Sequence, residues 1–190
     1  KLTVKDLEKY VTSKTKIILL NSPSNPTGAT IVKEELEKIA RFAIKRKIYV
    51  ISDEIYEKIL YDGRHISIAA LGEKIKKQTI TINGFSKSYA MTGWRVGYAA
   101  GPSEIISGMV ILAGQTTFGT CSISQKAAMV AYSGSQKSVK EMVNEFRKRR
   151  DFIFKELSKI KEITVLKPEG TFYLFLNIEG LLDKKLNSSA

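Results

Sequence analysis

At 190 residues the chain is about one domain long, enough to bury a substantial core. Its 43% hydrophobic and 26% charged residues are ordinary for a globular protein, with no signal peptide and no run of about 18 apolar residues to cross a bilayer. The one cysteine, Cys121, excludes an internal disulfide and fits a reducing, cytoplasmic compartment. The formal net charge of +12 raises the question of nucleic acid. The lysines, however, are spread over nearly every expected helix and interspersed with glutamates, as in residues 33–38, and the densest basic cluster is 147–150. A scattered excess reads as a solvated surface, so no nucleic acid and no membrane is the expectation.

In chain order, residues 5–10 read as a short amphipathic helix. The run KIILL at 16–20 reads as a buried strand. It enters NSPSNPTG, residues 21–28, where two prolines and a glycine forbid helix and strand alike. Asn25 precedes Pro26, which biases its backbone to extended and fixes where its amide points. Residues 33–45 carry apolar side chains at helical spacing, at Leu36, Ile39, Ala40, Ala43 and Ile44. A second buried strand at 48–52 ends at Asp53, followed by a less regular stretch with a turn at Asp62–Gly63. A third strand at 78–82 runs into the Gly84–Lys87 loop, and a fourth is expected at 94–100. The rest is largely helical, over 103–115, 122–132 and 135–160, before short strands at 163–166 and 171–177.

These elements predict an α/β fold with a mostly parallel sheet flanked by helices, and a long helix leading into an incomplete α+β small domain. The expected division is 1–134 for the large domain, 135–160 for the connecting helix and 161–190 for the start of the small domain. The chain opens at Lys1 without an initiator methionine and ends soon after a strand, which points to a fragment of a longer protein.

In parallel sheets ligands bind beyond the carboxyl ends of the strands. Asn25 follows the first strand, Asp53 the second and Lys87 the third, so three loops are expected to converge on one crevice. Each residue also has a plainer role: Asn25 as a turn residue, Asp53 as a helix N-cap, Tyr56 as half-buried core, Lys87 as a snorkelling lysine in a buried loop. Lys87 lies among Phe85, Tyr89, Met91, Trp94 and Val96, where a desolvated lysine beside a cation becomes a usable amine nucleophile. Arg95, read as part of a strand amid apolar residues, requires an anionic partner such as a phosphate. His65, the only histidine, reads as a surface loop residue, and no metal cluster is expected.

Taken together, NPTG at 25–28, SDEIY at 52–56, GFSK at 84–87 and MTGWRVGY at 91–98 resemble the class I/II aminotransferases of the aspartate aminotransferase type, which are fold type I pyridoxal phosphate enzymes. PEGTFYLF at 168–175 resembles that family's small-domain strand. The resemblance spans essentially the whole chain in the family's order. It implies pyridoxal 5'-phosphate as cofactor, held as a Schiff base on Lys87, which also moves a proton between Cα and C4′. It implies that an ionised, buried Asp53 pairs with the pyridine nitrogen, that Asn25 and Tyr56 hydrogen-bond the phenolic oxygen, and that Arg95 clamps the phosphate with Ser86 assisting. Many relatives carry a serine three residues before the lysine; here that place is Gly84.

The substrates so implied are a small-molecule amino acid, aspartate-like, and a 2-oxo acid such as 2-oxoglutarate. A homodimer is also implied, with residues 115–122 reaching the neighbouring subunit's phosphate through Thr116 or Thr117. The family's phosphate loop and its substrate-carboxylate arginine are not in this chain, so the 190 residues alone are expected to be inactive. A lyase or synthase of the same fold, the sensor domain of a transcriptional regulator, and a basic binding module are the alternatives.

Overall fold

The computed structural model describes residues 1–182. Helix α1 (Val4–Tyr10) is started by a reciprocal cap: the Thr3 hydroxyl accepts from the Asp6 amide, and the Asp6 carboxylate accepts from the Thr3 amide at 2.9 Å. Strand β1 (Ile17–Asn21), helix α2 (Lys33–Arg46) and strand β2 (Tyr49–Asp53) then form a βαβ unit. The helix stops at Lys47, whose left-handed backbone lets its amide bond the carbonyls of Ala43 and Ile44. β1 and β2 are parallel, with Asn21 opposite Asp53. Strand β3 (Thr79–Gly84) adds in parallel to β2, and β4 (Gly97–Ala100) returns antiparallel to β3. The described sheet has the order β1-β2-β3-β4 and is mostly parallel, as expected.

The main core lies between this sheet and α2. Ile18, Leu20 and Val50 pack with Leu36, Ile39, Ala40 and Ala43, and each fully buried Val, Leu or Ile side chain there contributes about 1.5–3 kcal/mol. Ile68, on a 3₁₀ turn, and Ile75, on the short helix α3 (Glu73–Lys76), close the same core; the sequence pattern missed both elements. The expected buried strand at 16–20 is a strand from Ile17, but it is buried on one face only. Ile17 and Leu19 point away from α2 and are 51% and 67% exposed. Strands apolar on both faces suit a sheet covered on both sides, and here helices cover one.

Helices α4 (Ser103–Thr116), α5 (Ser122–Ser133) and α6 (Lys137–Leu157) follow close to their expected bounds. Strands β5 (Thr164–Val165) and β6 (Leu176–Asn177) pair antiparallel. The expected strand at 171–177 is a strand only over its last two residues. Thr171 has a left-handed backbone, φ 62, which interrupts extension. Residues 168–173 instead form a bend whose backbone groups are satisfied by loops of the sheet: Gly28 O accepts from the amides of Glu169 and Gly170, and Ile59 O from the amide of Thr171, each at 2.9 Å. Arg150 of α6, buried at 6% exposure, donates to Pro168 O at 3.1 Å and lies 4.2 Å over the Tyr61 ring. The part of the expected small domain at 183–190 lies outside the described residues.

Candidate active site

Parallel pairing of β1, β2 and β3 puts their carboxyl ends along one edge of the sheet, and from that edge the loops 22–28, 53–56 and 84–88 emerge. Asn25 is exposed, between the cis Ser22–Pro23 and Asn25–Pro26 bonds, and its amide donates to Asn21 Oδ1 at 2.7 Å. Asp53 is half-buried, where a buried carboxylate was expected, and its Oδ1 accepts from the Ile55 amide at 3.2 Å. Tyr56 is buried, and its hydroxyl lies 2.8 Å from that of Tyr173. Burial pushes the Tyr56 hydroxyl well above its ordinary value of 10.0. The hydrogen bond to Tyr173 and the charge of Asp53 push the same way, while a hydrogen bond with the Asn25 side chain opposes them. Tyr56 therefore stays a neutral hydroxyl at neutral pH, facing both Asn25 and Asp53.

Lys87 is half-buried in the turn after β3, with Nζ 5.7 Å from the centre of the Phe172 ring. That ring meets Tyr56 edge to face at 5.6 Å. Phe172 thus bridges the lysine to the Asn25–Asp53–Tyr56 group. Below the turn, Phe85, Met91 and Val96 pack with Ala128 of α5. Ser88 is buried, with its hydroxyl directed at Ile55 O 3.5 Å away, so the lysine turn sits against the 53–56 segment. Ser86 beside it is half-buried.

Arg95 departs from expectation. It is not in a strand; it follows the single 3₁₀ turn Thr92–Trp94 in a left-handed conformation, φ 49, and it is exposed. Its Nη1 donates to Thr92 O at 2.9 Å, and water can solvate the rest, so burial imposes no anionic partner. Trp94 is 45% exposed as well. Thr116 and Thr117 are exposed at the end of α4 and turn their hydroxyls back to the Leu112 and Ala113 carbonyls.

Sequence reasoning missed Glu54, Phe172 and Tyr173, and misread His65. Glu54 is buried at 3% exposure and takes hydrogen bonds from Ser52 at 2.9 Å and Ser67 at 2.7 Å, with His65 Nε2 at 2.9 Å. Burial acts to raise its carboxyl, but the bonds from His65, Ser67 and Ser52 outweigh that and hold it below 4.5. His65 is therefore a half-buried partner of Glu54, not a surface loop residue. Adjacent residues at a strand end point to opposite faces, so Asp53 and Glu54 could have been assigned to different environments from the sequence. Glu54, Glu57 and His65 bring their possible metal-ligand atoms within 4.8 Å, but the Glu54 oxygens already have protein donors. No local signal marks Phe172 and Tyr173, which read as ordinary strand residues. A cavity of about 640 Å³ beside them, lined by Tyr61, Phe146 and Phe152 among others, includes none of Asn25, Asp53, Tyr56 or Lys87.

The family model described as "Aminotransferase class I and II" matches residues 1–189. The chain belongs to that family. Among curated class I and II aminotransferases, an aspartate aminotransferase of Bacillus sp. (strain YM-2) is 49% identical over 97% of this chain and 47% of its own length. An asparagine–oxo-acid transaminase of Streptococcus mutans is 46% identical over 97% of the chain and 47% of its own length. The crystal structure of an aspartate aminotransferase from Rhizobium meliloti superposes with a TM-score of 0.92 at 41% identity, over 96% of this chain and 46% of that one. The chain thus spans about half the length of the curated aminotransferases it matches.

Proposed function

We propose that this chain carries the catalytic lysine and cofactor-ring contacts of a pyridoxal phosphate-dependent aminotransferase, which moves an amino group from an aspartate-like donor to a 2-oxo acid such as 2-oxoglutarate. One observation carries the reading: the neutral Tyr56 hydroxyl, facing Asn25 and Asp53, shares the Phe172 ring with the Lys87 amine. A hydroxyl donor, an amide, a carboxylate and an amine on one sheet edge are the groups that a phenolic oxygen, a pyridine nitrogen and an aldehyde require.

Pyridoxal phosphate supplies an electron sink for the carbanion formed at the substrate Cα. Lys87 would hold the cofactor aldehyde, and its amine would be the base for the proton at the substrate Cα. The Asp53 carboxylate keeps the ring nitrogen cationic. Asn25 and Tyr56 hold the phenolic oxygen. Arg95, whose guanidinium is exposed with one donor on Thr92 O, and Ser86 would bind the phosphate. The protein acts as a homodimer. The exposed apolar side chains of α4 and α5, including Val110, Leu112 and Val130, supply surface for assembly, and Thr116 and Thr117 lie at the end of α4.

The test is to load the full-length protein with pyridoxal phosphate, reduce it with borohydride and map the modified lysine by peptide mass. Modification at Lys87, together with transfer from aspartate to 2-oxoglutarate that is lost in Lys87→Ala, is the expected result. Modification scattered over surface lysines overturns the assignment.

A further inference from the structure

We infer that Tyr173 is a positioning residue for the site: its hydroxyl donates to the Tyr56 hydroxyl and leaves the single hydrogen of Tyr56 for the bound ligand. The inference rests on the aminotransferase reading above. A phenolic hydroxyl carries one hydrogen and can accept others. The two oxygens lie 2.8 Å apart and, by geometry alone, either can donate. Tyr56 is buried at 3% exposure, so solvent cannot rescue a wrong choice. A ligand oxygen that carries negative charge needs a donor, and Tyr56 can donate to it only if Tyr173 supplies the hydrogen between them. The negative charge of nearby Asp53 opposes loss of that hydrogen from the pair.

The fold holds Tyr173 in place for this task. The bend before it is tied to the sheet loops through Gly28 O and Ile59 O, through the Tyr61 hydroxyl on Thr171 O, and through Arg150 on Pro168 O. Glu169 adds a bond from the Thr30 amide at 2.9 Å and an ion pair with Lys1. The Tyr173 ring then packs on Phe172 at 4.7 Å and edge-on to Tyr56 at 5.9 Å. The position of the Tyr173 hydroxyl is thus set before any ligand arrives, and a bound anionic oxygen that takes the Tyr56 hydrogen turns the pair in one direction, which strengthens the last donor.

The test uses the full-length protein with Tyr56→Phe, Tyr173→Phe and the double variant. It reads the dissociation constant for pyridoxal phosphate and the pH midpoint of the bound cofactor's visible absorption. Tyr173→Phe keeps the ring contacts, so a packing role moves neither readout. The expected result is a loss of affinity of about 2-fold in Tyr173→Phe, because the variant keeps the Tyr56 donor and removes only its polarisation by Tyr173. The pH midpoint should move in the same direction as in Tyr56→Phe, and Tyr173→Phe should have no further effect in the Tyr56→Phe background. Wild-type behaviour of Tyr173→Phe, or a full additive effect in the double variant, overturns the inference alone. If Tyr56→Phe also leaves both readouts unchanged, the aminotransferase reading falls and the inference with it.

Discussion

Gly170 donates its amide hydrogen to the carbonyl oxygen of Gly28 at 2.9 Å, joining the loop after β1 to the bend that carries Phe172 and Tyr173. Gly28 has φ +66, and a Cβ there would lie 2.3 Å from Pro168 Cβ and 2.7 Å from Gly170 O. Neither conformation nor space admits a side chain. Gly28→Ala should destabilise the protein by about 2–4 kcal/mol, combining left-handed strain with overpacking. Urea unfolding with an unchanged slope and a lower midpoint checks this.

Arg150 holds the other side of that bend. Its guanidinium reaches Pro168 O, bonds Asp151 through Nε at 3.0 Å and lies over Tyr61. A lysine keeps the charge but not the planar fork that makes all three contacts. Arg150→Lys should cost about 2–3 kcal/mol, read as a lower urea midpoint, whereas Arg149→Lys at the exposed neighbouring position should cost under about 0.5 kcal/mol.

The Glu54 network makes stability depend on pH in one direction. Its folded carboxyl is held below the ordinary 4.5, so its contribution is present above that value and is lost as pH falls through the lower folded value. Glu54→Gln removes that contribution. The difference in urea midpoint between wild type and Glu54→Gln should be constant near neutrality and shrink on acidification below about pH 4.5. A difference that stays constant down to pH 3 would show that the carboxylate is not held ionised by His65, Ser67 and Ser52.

In the full-length protein, Asp53→Asn should separate binding from turnover. On the function proposed above Asp53 holds a cationic ring nitrogen by charge, which asparagine of the same size cannot do. Loss of one member of such a pair costs about 2 kcal/mol or more, so kcat/KM should fall at least about 30-fold. Borohydride should still attach the cofactor to Lys87. Loss of attachment would mean that Asp53 chiefly holds the loop, through its bond to the Ile55 amide.

Helix α4 buries none of its residues, and Val110, Ile111 and Leu112 are 65–69% exposed. Contiguous apolar surface of this kind drives association. The 190-residue chain should therefore sediment with a concentration-dependent mass, reduced by Leu112→Glu with Val130→Glu. A chain that stays monomeric at every concentration would contradict this.

The apolar runs at 16–20 and 48–52, the helical spacing at 33–45 and the punctuation by Pro23, Pro26 and Gly28 determine by themselves a βαβ unit with its loops at one sheet edge. Period and turn chemistry act within a few residues, so they survive into the folded chain. The convergence of Asn25, Asp53, Tyr56 and Lys87 follows from the parallel pairing of β1, β2 and β3, which puts their carboxyl ends along one edge. Tertiary structure alone decided what covers each side chain. It left Arg95 in solvent on a left-handed turn, set His65 against Glu54, and folded the expected strand at 171–177 into a bend that brings Phe172 to Lys87 and Tyr173 to Tyr56. The contacts of Phe172 and Tyr173 join residues more than 80 positions apart, the pairing of His65 with Glu54 spans 11, and the placement of Arg95 depends on solvent access, so no local pattern in the chain encodes them.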